Sequence, residues 1–179
     1  LLLPVCVNAQ QPKLMLPVGH TLPLTGVQFS PDGKYLVTAS IDKTAKVWNT
    51  TSGHLMADLR GHSGDVNSAE FSTDGKYVLT ASGDSTVKVW EWETGKIITD
   101  FKGHTHRAVS AHFSKDGKNI ISAQEWGKTI LWKTLTSEIF FEFNEDYLIK
   151  SINEDFSASY SPDEKYILVT SPLSLWDAA

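Results

Sequence analysis

The chain has 179 residues, of which 41% are hydrophobic and 21% are charged, and its formal net charge is −5. This is the composition of an ordinary soluble protein with a sizeable core, and it excludes collagen, disulfide-dependent miniproteins and wholesale disorder. The mild acidity gives no support to nucleic-acid binding, and most of it lies between Glu138 and Glu164.

The first nine residues, LLLPVCVNA, form an apolar run that is too short to span a bilayer. Val7 and Ala9 are the small residues that a signal-peptide cleavage site before Gln10 requires, so residues 1–9 are interpreted as a signal-peptide remnant. This predicts export to a periplasm or outside the cell, and without a signal we expect a cytoplasmic protein. Two alternatives stay open: a lipoprotein signal in which Cys6 is lipidated, and an apolar N-terminal strand.

Most of the remaining chain repeats with a period of 42 residues. Gly-His pairs begin at residues 19, 61 and 103, and tryptophans recur at residues 48, 90, 132 and 176. A Phe/Tyr-Ser-x-Asp-Gly/Glu-Lys motif begins at residues 29, 71, 113 and 160. Aligned without gaps, residues 19–60 and 61–102 are identical at 18 of 42 positions. This regularity indicates a structural unit that was duplicated as a whole.

Each unit has the pattern of four short strands. In the first unit, strand-like segments at 26–29, 35–39 and 44–48 are separated by tight turns that contain Asp. A fourth segment, at 55–59, precedes the next Gly-His pair. No window has the sustained apolar spacing of a helix. The predicted fold is therefore all-β, with four-stranded antiparallel meanders.

These residues resemble the WD-repeat β-propeller family, whose units of about 40 to 45 residues start with Gly-His and finish with Trp-Asp. The resemblance implies a partial propeller of about four blades, with a closing outer strand before the first. The expected boundaries are 10–18 for that strand and 19–60, 61–102, 103–144 and 145–179 for the blades, the last being incomplete. Because rings of this family mostly have seven blades, we expect the chain to be the N-terminal part of a longer protein, with uncovered faces that favour self-association.

His, Ser, Asp and Trp recur together in the first two units, at identical spacings along the chain. A Ser-His-Asp set is typical of hydrolases, but an active site does not need a copy in every repeat. The resemblance implies instead a structural hydrogen-bonded tetrad that satisfies buried polar groups. Its expected members are His20, Ser40, Asp42 and Trp48, then His62, Ser82, Asp84 and Trp90, and in the third unit His104 and Trp132.

The third unit departs from this pattern, because Gln124 and Trp126 stand where the first two units have Ser and Asp. Glu125 is expected to substitute for the missing Asp. One interpretation is a decayed turn with a weaker network. The other is that Trp126, together with Arg107 and His106 of the adjoining loop, anchors a partner, since Trp and Arg dominate interface hot spots.

Neither a metal nor a cofactor site is predicted. The fourth unit contains an acidic insertion within 144–156, which indicates a solvated loop or a dock for a basic partner, and its spacing is not that of a calcium loop. The alternation of His104, His106 and His112 is a weak signal for zinc, because His104 already has a role in the tetrad.

The predicted function is a non-enzymatic scaffold that binds a protein or peptide, because every recurring polar residue has a structural role and no catalytic residue remains. We expect neither a nucleic-acid partner nor a membrane span. The alternative is the N-terminal propeller of a larger secreted enzyme whose catalytic domain follows Ala179. A third interpretation, a ligand in a central channel, has no dedicated residues.

Overall fold

The computed structural model of the chain describes residues 19–126, 128–143, 157–170 and 173–177. The predicted signal remnant at 1–9, the predicted outer strand at 10–18 and most of the acidic insertion lie outside these residues. Those three expectations therefore stay predictions.

The described residues form fifteen strands in four antiparallel sheets. Sheet 1 contains β1 (Leu24–Phe29), β2 (Tyr35–Ser40), β3 (Thr44–Asn49) and β4 (Leu55–Arg60). Sheet 2 contains β5 (Val66–Phe71), β6 (Tyr77–Ser82), β7 (Thr86–Glu91) and β8 (Lys96–Lys102). Sheet 3 contains β9 (Ala108–Phe113), β10 (Asn119–Gln124), β11 (Thr129–Lys133) and β12 (Ile139–Phe143). Sheet 4 contains β13 (Ala158–Tyr160), β14 (Tyr166–Thr170) and β15 (Leu173–Asp177).

Strands pair in chain order within every sheet, so each sheet is a meander. This confirms the predicted all-β fold of antiparallel meanders. The first three sheets have four strands each, whereas the described part of the fourth has three.

The turn that joins the first two strands of each sheet explains the Ser-x-Asp-Gly-Lys motif. In sheet 1 the Ser30 hydroxyl donates to Asp32 Oδ1 at 2.7 Å and accepts the backbone N–H of Tyr35 at 2.9 Å. Gly33 has a φ of 70°, a left-handed conformation that glycine adopts without steric cost. The same Ser-to-Asp bond recurs in the other three sheets, at 2.6 to 2.8 Å.

The core consists of apolar layers between consecutive sheets. Val37 and Val47 of sheet 1 pack with Val66 and Phe71 of sheet 2, and all four side chains are buried. Equivalent layers join sheet 2 to sheet 3 and sheet 3 to sheet 4. Because the strands alternate in facing direction, each sheet has one face toward the preceding sheet and one toward the next.

Candidate functional site: the histidine rim

We define the histidine rim as one edge of sheets 1 to 3, formed by the Gly-His loops and the turns between the second and third strands. Its members are residues 19–23, 61–65 and 103–107 in the loops and 41–43, 83–85 and 125–126 in the turns. The predicted tetrad residues and the predicted partner-binding residues all lie at or just beneath this rim.

In sheet 1 a chain of hydrogen bonds runs from the core to the rim. The Trp48 indole donates to Thr38 Oγ1 at 2.9 Å, and Thr38 Oγ1 lies 2.8 Å from His20 Nε2. His20 Nδ1 lies 2.8 Å from Asp42 Oδ2, which also accepts the backbone N–H of Thr21 at 3.0 Å. The carboxylate thus fixes the imidazole tautomer with the proton on Nδ1, so Nε2 accepts from the hydroxyl.

Sheet 2 repeats this network with the equivalent residues. The distances are 2.8 Å from Trp90 Nε1 to Thr80 Oγ1, 2.7 Å from Thr80 Oγ1 to His62 Nε2 and 2.9 Å from His62 Nδ1 to Asp84 Oδ2. Burial lowers the pKa of His62 in spite of the adjacent carboxylate. Burial alone would raise the pKa of Asp84, but hydrogen bonds from Thr86 and Ser63 and the charge of His62 lower it. The network therefore consists of a neutral imidazole and an ionised carboxylate at neutral pH.

Sheet 3 builds the same network without a carboxylate. Ser122 Oγ lies 2.7 Å from His104 Nε2 and accepts the Trp132 indole N–H at 2.7 Å. Gln124 Oε1 accepts from His104 Nδ1 at 3.1 Å and from the backbone N–H of Thr105 at 2.9 Å. Burial, without a carboxylate to oppose it, lowers the pKa of His104 to about 4.

The glycine that precedes each histidine is explained by the tryptophan beneath it. A Cβ added to Gly103 would lie 2.8 Å from the Trp132 ring, and one added to Gly19 would lie 2.7 Å from the Trp48 ring. Such distances are too short for carbon atoms, so a side chain at either position would displace the tryptophan. The Gly-His pair therefore lets the loop approach the third strand closely enough to form the network.

Beside the network of sheet 3, Trp126 emerges at the rim. Its backbone has a φ of 67°, which is uncommon for a bulky residue, and its side chain is 49% exposed. The His106 ring packs edge-on against the indole, with ring centroids 4.4 Å apart. Arg107 lies in the same loop, but its guanidinium contacts Asp65 at 3.3 Å and Glu125 at 3.4 Å. The predicted patch of Trp126, His106 and Arg107 is thus assembled, with Arg107 also bridging sheets 2 and 3.

A comparison with family models decides which family this architecture represents. A model described as "WD domain, G-beta repeat" matches residues 11–49, 53–91 and 95–133, more than half of the chain. The chain belongs to the WD-repeat family. The second and third matched units of this WD-repeat protein begin just before the outer strand of one sheet and end in the third strand of the next, so its sequence repeat is offset from its sheets.

Curated WD-repeat relatives match over single segments. The chain is 43% identical to the Notchless protein homolog of Arabidopsis thaliana over 56 residues, 31% of this chain and 12% of that protein. It is 49% identical to dynein assembly factor with WD repeat domains 1 of Xenopus laevis over 43 residues, 24% and 10% of the two chains. It is 39% identical to COMPASS component SWD3 of Saccharomyces cerevisiae over 46 residues, 26% and 15% of the two chains.

One expectation about the WD-repeat tetrads needs correction. The hydroxyl that joins His to Trp belongs to Thr38 and Thr80, not to Ser40 and Ser82. Ser40 lies two positions further along β2, where its hydroxyl donates to the carbonyl of Pro23 at 2.9 Å and accepts the N–H of Asp42 at 3.1 Å. It therefore secures the loop and the turn beside the network.

The sequence contained a signal for the true hydroxyl. Two positions before the expected Ser, the three units have Thr38, Thr80 and Ser122, whereas the expected position itself has Ser, Ser and Gln. The hydroxyl is kept in all three units only at the earlier position. A comparison of the third unit with the first two at this position would have identified it.

The expectation that Glu125 substitutes for the missing Asp is also wrong. Gln124 takes that role, because its longer side chain reaches the donors on His104 and Thr105 that Asp84 serves in sheet 2. Glu125 contacts Arg107 instead. In sheet 4, Val169 takes the place of the hydroxyl, and the Trp176 indole donates to Ser174 at 2.9 Å.

These networks have no chemistry to offer a substrate. The His20 imidazole is 4% exposed and the Asp42 carboxyl 7%, and both ring nitrogens are already hydrogen-bonded. A general base must reach the proton that it removes, which this arrangement prevents. Across the four described stretches of chain, no group of three or more His, Cys, Asp and Glu side chains is placed to hold a metal ion.

The opposite edge of sheets 1 and 2 contains a cavity of about 650 Å³. Its floor is Trp92, whose indole donates to the carbonyl of Gly75 at 2.9 Å and packs against the Tyr35 ring. Asp32 and Asp74 line it, but both accept hydrogen bonds within their own turns. The cavity is therefore accounted for by turn and packing contacts. The described residues include no helix long and apolar enough to cross a membrane.

Proposed function

We propose that the chain is a non-catalytic interaction platform that binds a protein or peptide at the histidine rim, with Trp126 as the anchor. The observation that carries this proposal is the state of Trp126: an exposed indole held in a left-handed backbone conformation at a turn. Large exposed aromatic side chains are expensive to leave in water and are the usual anchors of interfaces.

The contrast with the equivalent turns supports this role for Trp126. The first two sheets place the polar residues Lys43 and Ser85 in the left-handed conformation of this turn, and both are ordinary turn residues. Sheet 3 places an indole there. Backbone strain of this kind clusters at binding sites, where the surrounding structure enforces it.

The neighbours of Trp126 give the patch its chemistry. His106 packs against the ring and limits its movement. Asp65 and Glu125 flank Arg107, so the patch combines an apolar centre with a polar and nearly charge-balanced border. This is the anatomy of a protein interface, which has an apolar anchor within a polar rim.

The WD-repeat relatives support a platform rather than an enzyme. One is named as an assembly factor and another as a component, which are names of proteins that work together with other proteins. Because the chain matches only 10% and 15% of their lengths, their partners are not transferred to it.

The test uses a peptide selected from a random display library against the purified 179-residue chain. We expect Trp126→Ala to weaken binding of that peptide by at least tenfold, with an unchanged melting temperature. Leu135→Ala is the matched control, since Leu135 is an exposed apolar residue at the opposite edge of sheet 3. Unchanged affinity in Trp126→Ala would contradict the proposal.

Arg107→Ala is a less selective variant, and we expect it to lower both binding and stability. Its guanidinium contacts Asp65 and Asn67 of sheet 2, so its removal loosens the packing of two sheets. Trp126→Ala therefore carries the decision.

A further inference from the structure

Two apolar faces of the described structure are uncovered. The first, here called the leading face, is formed by Leu24, Val27 and Phe29 on β1, which are 46%, 64% and 63% exposed. The second, here called the trailing face, is formed by Tyr166 and Leu168 on β14 and Leu175 on β15, which are 43%, 38% and 66% exposed. Contiguous exposed apolar residues of this size mark an interaction surface.

The repeat shows what normally covers a leading face. The equivalents of Leu24, Val27 and Phe29 in sheet 2, one repeat later, are Val66, Ala69 and Phe71. Those residues are 0%, 8% and 6% exposed. They are buried because they pack against Tyr35, Val37 and Val47 of sheet 1.

The trailing face has the matching residue types. In the turn motif Tyr166 occupies the position of Tyr35, and two residues later Leu168 occupies that of Val37. Leu175 precedes Trp176 as Val47 precedes Trp48. The molecule thus presents, at two separate places, both halves of the apolar interface that joins sheets 1 and 2.

Backbone groups at the edge of β1 are also available for such a contact. Between sheets 1 and 2, Gln28 accepts the backbone N–H of Phe71 at 2.7 Å, and Thr25 donates to the carbonyl of Val66 at 2.5 Å. The equivalent groups on the leading face are the N–H of Phe29 and the carbonyl of Leu24. On β13, Ser159 precedes Tyr160 as Gln28 precedes Phe29, and its hydroxyl is the corresponding acceptor, although it is shorter.

We propose that the leading face of one copy of this chain packs on the trailing face of a second copy, in a head-to-tail association. The contact repeats the geometry of the interface between sheets 1 and 2. It is heterologous, so each copy uses one face to bind and offers the other to a further copy.

The experiment is sedimentation of the 179-residue chain at micromolar concentration, with two double variants. Val27→Glu with Phe29→Glu introduces charge on the leading face, and Leu168→Glu with Leu175→Glu does so on the trailing face. The control is Leu55→Glu with Met56→Glu, which alters exposed apolar residues of the outer strand β4. Circular dichroism and melting temperature establish that each variant is folded.

We expect the unaltered chain and the β4 control to sediment at twice the monomer mass or more, and each face variant alone to sediment as a monomer. An equimolar mixture of the two face variants is expected to form a dimer and to stop there. In that mixture an intact trailing face of one variant meets an intact leading face of the other, and one such pair is available.

The other outcomes overturn the proposal. A monomeric unaltered chain would mean that the two faces do not associate between copies. An oligomer lost only in the leading-face variant, with no dimer in the mixture, would indicate a symmetric contact between two leading faces. An oligomer that persists in both variants would place the contact elsewhere.

Discussion

Sheets 2 and 3 form the same hydrogen-bonded network with different chemistry. In sheet 2 the acceptor for the histidine is the carboxylate of Asp84, and in sheet 3 it is the amide of Gln124. The indole-to-hydroxyl distance is 2.8 Å in sheet 2 and 2.7 Å in sheet 3, and the hydroxyl-to-imidazole distance is 2.7 Å in both. The geometry of the network is thus independent of the negative charge, which shows that its task is to satisfy buried groups and hold the loop.

The difference in charge appears in the histidines. Burial lowers the pKa of both imidazoles, and in sheet 3 it lowers the pKa of His104 to about 4. In sheet 2 the charge of Asp84 opposes this effect on His62. The two sheets are therefore an internal comparison of a charged and an uncharged version of one network.

The largest effect is expected when the shared hydroxyl is removed. Thr80→Val keeps the volume of the side chain but leaves the Trp90 indole N–H and His62 Nε2 buried without their partner. We expect a loss of about 2 to 4 kcal/mol in the free energy of unfolding, because each orphaned buried group costs about 1 to 3 kcal/mol. Denaturant unfolding of the variant and the parent measures this.

Ser122→Ala is the corresponding change in sheet 3, and we expect a loss of similar size because the geometry is the same. Ser82→Ala is the control, since Ser82 bonds the loop carbonyl of Gly64 at 3.2 Å and lies outside the His-to-Trp chain. A larger loss in Ser82→Ala than in Thr80→Val would contradict the assignment of the hydroxyl.

A pH-dependent effect of intermediate size is expected from His104. Its pKa is about 4 in the folded chain and 6.5 as the ordinary value, so between these pH values the unfolded chain binds a proton that the folded chain does not. Stability therefore falls as the pH is lowered from about 6.5 to 4, by up to about 3 kcal/mol from this group. Denaturant unfolding across this pH range measures the loss.

Gln124→Glu converts the network of sheet 3 toward that of sheet 2. A carboxylate beside His104 favours the imidazolium, so we expect its pKa to rise by at least about one unit, which corresponds to about 1.4 kcal/mol. The acid loss of stability becomes smaller by that amount. Titration of the histidine by NMR measures the change, and an unaltered pKa in the variant would show that the amide is not what distinguishes the two sheets.

The smallest effect concerns the turn of sheet 4, where Glu164 stands in place of the glycine of sheets 2 and 3. Glu164 has a φ of 58°, and its carboxylate accepts the backbone N–H of Lys115 in sheet 3. Glu164→Ala loses this bond and keeps the unfavourable backbone, so we expect a loss of about 1 kcal/mol.

In Glu164→Gly the relief of the left-handed backbone offsets the lost hydrogen bond, so we expect a change of about zero. The two variants are compared by thermal unfolding. Equal destabilisation in both would mean that the backbone conformation contributes nothing at this turn.

Much of the fold was readable from the sequence, because the regular repeat and the Ser-x-Asp-Gly-Lys turns locate the strands by local rules. The histidine, aspartate and tryptophan positions follow from the same repeat. Thr38 was missed because Ser40 lies on the same face of the strand and repeats equally well in two units. The role of Gln124 depends on the reach of one side chain, which no spacing encodes. The uncovered faces depend on how sheets pack, so only the structure gives their exposure.

The central claim is that the histidine rim binds a partner through Trp126 while its polar residues serve the fold. The most direct measurement is an NMR map of backbone and indole shifts on titrating the chain with a peptide selected against it. The account predicts the largest changes at Trp126, His106 and Arg107. Changes confined to Leu135 and the opposite edge of the sheets would contradict it.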